Sequence, residues 1–163
     1  MNSAAVSVVL GILALVLNGL LSENNKARLV FWRMRDPLPG CRAFARYMHE
    51  DPRVDPKVLE TRFGPLPSAP DDQNRLWYRI YQAYSGEPSV TDAHRSYLAT
   101  RDTATLTALF LLTFVPVGIF LAQNLVLWIF YAGAMAIVYL LTSQAARNYG
   151  QRLVTNALAL GST

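Results

Sequence analysis

Charge is missing from two long stretches of this 163-residue chain: no Asp, Glu, Lys or Arg precedes Glu23, and none occurs in the 44 residues from Thr103 to Ala146. Sulfur is scarce too. The single cysteine, Cys41, excludes an intrachain disulfide, a Cys-based zinc site and a Cys-x-x-Cys redox pair, and reads as a buried thiol. Only two histidines occur, His49 and His94, and they lack the His-x-x-x-His spacing that places two ligands on one helical face. No Gly-x-Ser-x-Gly elbow and no glycine-rich loop entering a helix is present, which removes the serine triad and the phosphate loop. With no ionisable side chain inside the apolar runs, proton-coupled transport and voltage sensing are disfavoured. The expectation is a non-enzyme with no catalytic residue, cofactor or metal.

What remains is strongly apolar. Hydrophobic residues make up 52% of the chain, and its mean hydropathy is +0.20. All 11 acidic and 13 of the 15 basic residues lie between Ser22 and Asp102. The segment 4–21 gives about 27 Å of helix at ~1.5 Å per residue, enough to cross a hydrocarbon core. It reads as a retained anchor, because Ser22-Glu23-Asn24 is a poor signal-cleavage site. The 44-residue run would make a helix of about 66 Å, twice one crossing, so it folds back at Gln123-Asn124 into spans 103–122 and 125–143.

The predicted fold class is therefore an all-α integral membrane protein with three transmembrane helices, an N-terminal span plus a C-terminal helical hairpin. Between them lie a basic juxtamembrane helix over 22–36 and a small helical cytosolic domain over 37–102; a cytosolic helix and tail occupy 144–163. Every basic cluster falls on one side of the spans, which the positive-inside rule assigns to the cytoplasm. The N-terminus is then outside, the insert and C-terminus inside, and a bacterial inner membrane is the expected location.

Within the insert, Asp55-Pro56 reads as a helix start and Gly64 as its stop. Asp71 or Asp72 is the expected cap of the next helix, whose Leu76, Trp77, Ile80, Tyr81 and Tyr84 repeat at three and four residues. Ser89 or Thr91 is expected to cap a last helix running directly into the second span. The insert has only two more basic than acidic residues, too balanced for a nucleic-acid groove. About 65 residues is marginal for a core, so it should lean on the membrane helices. Gly161-Ser162-Thr163 reads as a loose end.

Candidate functional residues follow from these faces. At ~100° per residue, Ser3, Ser7, Gly11, Ala14, Asn18 and Ser22 share one polar stripe of the first span, a pore lining or a packing face. Gly118 in the second span and Ala132, Ala136 and Ser143 in the third form small-residue faces suited to close helix packing and homo-oligomerisation. Lys26, Arg28, Trp32, Arg33 and Arg35 suit contact with lipid headgroups. Trp77, Tyr81 and Tyr84 are candidates for docking a cytosolic protein partner.

In layout alone, a small cytosolic sensor fused to a few spans, the chain resembles bacterial antiphage effectors that depolarise or disrupt membranes. The resemblance implies a channel-like oligomeric effector; a structural anchor or scaffold subunit is the alternative. Arg42 and His49 also have the spacing of the loose Arg-x(4 to 6)-His pattern of helical HEPN-type nuclease domains, which the insert resembles in nothing else.

Overall fold

The computed structural model describes residues 16–121 and 124–163. Among these the chain is all-helical. A helical turn over 16–20 leads into α1 (Glu23–Phe31), and a winding run follows: a 3-10 turn (Pro39–Arg42), a π-helical turn (Ala43–Tyr47) and the single turn α2 (Met48–Glu50). Next come α3 (Pro56–Phe63), α4 (Pro70–Tyr84) and two long helices, α5 (Pro88–Leu121) and α6 (Leu125–Gly161).

Local chemistry sets most boundaries. The Ser22 hydroxyl caps α1 by accepting from Asn25 N at 3.3 Å. Asp55 caps α3 by accepting from Lys57 N and Val58 N, and Gly64, at φ 83°, ends that helix in the left-handed region that glycine tolerates. Asn124 caps α6 through Leu127 N. Two expected caps are not used. Helix α4 starts two or three residues earlier than read, with Ala69 at the cap position, Pro70 in the first turn, and Asp71 and Asp72 just inside, where the helix dipole favours them. Helix α5 likewise begins at Pro88, and the Thr91 hydroxyl donates back to Ser85 O instead of capping.

Helix α1 is shorter than the basic segment suggested. It stops at Trp32, a left-handed residue at φ 53°. The last carbonyls of a helix need outside donors, and α6 supplies them: Tyr139 Oη donates to Leu29 O at 2.7 Å and Arg147 Nε to Val30 O at 2.7 Å. The Trp32 indole in turn donates to Tyr139 Oη at 2.8 Å, under the Arg147 guanidinium 3.8 Å from its ring centre.

The hydrophobic core lies at the end of the α5–α6 hairpin away from the α5–α6 connection. Val30 and Phe31 of α1, Phe44, Leu59 of α3 and Ile80 of α4 close around Leu153, Val154 and Leu158 of α6. The insert does lean on a long helix, as its small size required. The 144–163 segment is the centre of that core rather than a surface helix, and its end is docked: Arg62 Nη1 donates to Gly161 O, and the Ser162 hydroxyl donates to Arg53 O. Gln73, 1% exposed, ties α4 to the π-helical turn by accepting from Phe44 N and Ala45 N while donating to Ser68 O.

The other end of the hairpin is dressed differently. Leu125, Val126, Leu127, Ile129, Phe130, Tyr131, Leu140 and Leu141 are all exposed. Among the described residues α6 is the one helix long and apolar enough to cross a membrane, with a mean hydropathy of 2.1 over its most apolar 18 residues and none of that window buried within the chain. Near the start of α6, Trp128 packs against α5: its indole lies where a side chain on Gly118 would sit and its Nε1 donates to Val115 O.

Candidate functional site

Helix α5 passes without a break from the hydrophobic core to the charge-free run, and the groups at its midpoint form a knot. Arg101 is 4% exposed and Lys26 5% exposed, and burial on that scale requires partners. Arg101 donates from Nε and Nη2 to Asp102 Oδ1 at 2.9 and 2.8 Å, and from Nη1 to Glu23. Lys26 Nζ lies 3.5 Å from Asp102 Oδ1 and 3.8 Å from Glu23 Oε1. Asn18 Nδ2 donates to the remaining oxygen, Asp102 Oδ2, at 3.0 Å. Two cations thus meet two carboxylates, joining residue 18, α1 and α5. Burial pushes the Asp102 carboxyl up, but the Asn18 amide, Arg101 and Lys26 outweigh it and hold the group below its ordinary value.

Beside the knot opens an apolar cleft of about 300 Å³, lined by Leu38, Pro39, Trp77, Tyr78, Tyr81 and Leu98, with His94, Tyr97, Asn74, Glu23 and Arg101 as its polar members. Trp77 and Tyr81 stack at 5.6 Å, one helical turn apart on α4, and the Tyr81 hydroxyl meets His94 Nδ1 at 2.5 Å. Burial, reinforced by Arg101, lowers the His94 pKa, keeping the ring neutral near pH 7. Burial drives the Tyr97 phenol up to about 12, against the opposing charge of Arg101, whose guanidinium sits 5.5 Å from the ring centre. The Trp77 Nε1 is buried with no acceptor among the described residues. A few fixed polar groups thus sit in aromatic walls, the composition common to ligand pockets.

The residues singled out from sequence land in different places. Ser7, Gly11 and Ala14 of the stripe lie outside the described residues; Asn18 is spent on Asp102 and Ser22 on capping α1. Among the basic set Arg28, Trp32, Arg33 and Arg35 are exposed, whereas Lys26 points inward into the knot. Trp77 is buried in the cleft wall, with Tyr81 and Tyr84 half-buried beside it. On α6 Ser143 is fully buried, and Ala132 and Ala136 are half-buried. His49 is exposed, and its neighbours are engaged elsewhere: Glu50 with Arg46 and Gln151, Asp51 with Arg53.

Asp36, Cys41 and Asp71 bring one potential metal-ligating atom each within 4.8 Å of one another. The Cys41 pKa is raised by burial and by both carboxylates, which favours the neutral thiol over the thiolate a metal would need. The knot and the Tyr81–His94 pair escaped the sequence reading because the contacts that close them join residues 13 to 84 positions apart. No family model, no curated protein and no solved structure matches this chain.

Proposed function

We propose that the chain is a non-enzymatic membrane anchor and scaffold subunit whose cytosolic cleft receives a side chain of a protein partner, and whose knot passes the occupancy of that cleft to the membrane. The spans are 4–21, the charge-free part of α5 over 103–122, and the first half of α6 over 125–143, with the helical layer on the cytosolic side of a bacterial inner membrane. Assembly into a homo-oligomer follows from the small-residue faces of the spans. The observation that carries the reading is the continuity of α5: Tyr97 and Leu98 line the cleft, Arg101 and Asp102 form the knot, and charge ceases at Thr103.

An oligomeric pore of the antiphage-effector kind is the second reading, favoured by the polar stripe of the first span. The Asn18–Asp102 bond supports the scaffold over the pore, since it spends the most polar stripe residue on an intrachain contact.

One experiment separates them. The full chain, purified and placed in dye-loaded liposomes, is compared with Asn18→Leu for oligomer size and for leakage. The scaffold reading expects no leakage from either and an unchanged oligomer size for the variant, because Asn18 is spent within the chain. Leakage by the native protein that the variant abolishes at unchanged oligomer size would overturn it. Full extraction of the native chain from membranes by alkaline carbonate would overturn both.

A further inference from the structure

On the side of the cytosolic layer away from the aromatic cleft, a second cavity of about 300 Å³ has polar walls: Arg33, Arg42, Arg46, Tyr47, Arg147 and Asn148 are among its lining. Four guanidinium groups converge there from three parts of the fold, the loop after α1, the 3-10 and π-helical turns, and α6. Among the described residues only Arg46 has a carboxylate partner, Glu50 Oε1 at 2.7 Å. Arg42 is the informative member. Its Nε and Nη2 are both buried and have no hydrogen-bond partner among the described residues, and neither does Nη2 of Arg147.

An unmet buried donor on a charged group costs more than a neutral one, and natural proteins seldom leave three in one place unless something fills the gap. Neighbouring side chains hold these donors firmly. Arg42 is flanked by Phe31 and Tyr47, each ring centre 5.6 Å away, and Arg147 is fixed by its Nε bond to Val30 O and its stack on Trp32. The π-helical turn that carries Arg46 and Tyr47 is itself a rare geometry, frequent at functional sites.

We propose that this cleft is an oxyanion site that takes a phosphate group, with Arg42 and Arg147 as its principal donors and Arg33 and Arg46 as the surrounding positive field. Guanidinium forks match phosphate oxygens in geometry and charge. The volume equals on the order of ten waters at ~30 Å³ each, ample for a tetrahedral phosphate and its hydration. Burial, followed by the repulsion of Arg33 and Arg46, lowers the Arg42 pKa, as expected of a cation whose counter-ion is missing.

The phosphate can come from a lipid headgroup or from solution. Resting on the membrane reading above, the lipid source has a geometric merit: Gln144 to Gln151, which line the cleft, extend about 2 to 12 Å past Ser143, overlapping the headgroup layer of about 5 to 7 Å.

The test uses the full chain in neutral detergent, titrated with dioctanoyl phosphatidic acid, inorganic phosphate and dioctanoyl phosphatidylcholine at fixed ionic strength. A phosphate probe should bind, and Arg42→Gln and Arg33→Gln should each weaken it, the former by about 10-fold or more. Arg79→Gln, an exposed arginine on α4, should leave binding unchanged. Phosphatidic acid binding at least about 10-fold tighter than inorganic phosphate assigns the lipid source, and comparable affinities assign free phosphate. The unliganded Arg42→Gln protein should melt no lower than the native one, because a crowded cation is removed, and Arg33→Gln, whose side chain is exposed, carries the test if it does not. Absence of binding by both phosphate probes, or binding undiminished in both variants, overturns the proposal, whatever the outcome for the scaffold reading.

Discussion

Asn18 donates to Asp102 Oδ2 across 84 positions of chain, and so fastens the first apolar segment to the midpoint of α5. The Oδ2 oxygen would otherwise have no hydrogen-bond donor among the described residues. Asn18→Ala should therefore lower stability by about 1 to 2 kcal/mol. In a double-mutant cycle with Asp102→Asn, measured by thermal unfolding in detergent, most of that loss should vanish when Asp102 has already been changed.

Gln73 holds two backbone donors of the π-helical turn with a single oxygen. Gln73→Leu keeps the bulk and removes the acceptor, which strands Phe44 N in the core. A loss of about 2 to 3 kcal/mol is expected, read as a lower melting temperature and as faster amide exchange at residues 44 and 45.

The clamp at the end of α1 can be probed at one atom. Tyr139→Phe deletes the hydroxyl that donates to Leu29 O and accepts from the Trp32 indole. It should cost about 1 to 2 kcal/mol and shift the Trp32 contribution to fluorescence, leaving the helix content of the circular dichroism spectrum intact.

Gly40 is required by a close approach rather than by its backbone angles: a Cβ there would collide with the Trp77 ring and the Asn74 side chain. Gly40→Ala should destabilise by about 1 to 3 kcal/mol and displace Trp77 from the cleft wall. A weaker complex with any partner that uses the cleft should accompany the drop in melting temperature.

Acid should loosen the far side of the molecule first. Hydrogen bonds from Arg53 lower the Asp51 pKa to about 2, against an ordinary carboxylate value near 3.9. The folded-state pKa lies below the unfolded one, so the contribution is complete above about pH 4 and lost as pH falls toward about 2. Asp51→Asn should flatten the stability profile in that window, followed by thermal melts between pH 2 and 6.

Helix α3 was legible because its signals are local: Asp55, Pro56 and Gly64 act within one turn of themselves. The apolar face of α4 was legible from its period, and Leu76, Trp77 and Ile80 are buried where that period put them. The caps of α4 and α5 were misplaced because a proline at the first helical position competes with a nearby Asp, Ser or Thr, and the proline prevailed. The loose-end reading of residues 161–163 failed for another reason. Small polar residues at a terminus carry no packing signal, yet side chains of α3 and α4 pack close against Gly161, with Ile80 Cγ2 at 3.1 Å and Leu59 Cδ2 at 3.4 Å from the place a Cβ would occupy. Lys26 read as a headgroup contact because a sequence shows its charge but not the distant Asp102 that meets it.

Helix α6 is gripped by α1 at Tyr139 and again at Arg147, two turns further on, with Leu125 about 21 Å to one side of the first grip and Leu158 about 28 Å to the other. A stiff rod held near its middle behaves as a lever. A tilt of about 5° at the grip moves both tips by roughly 2 Å in opposite directions, so a sideways push on Leu158 in the hydrophobic core arrives, reversed in sense, near Trp128 at the other end of α6.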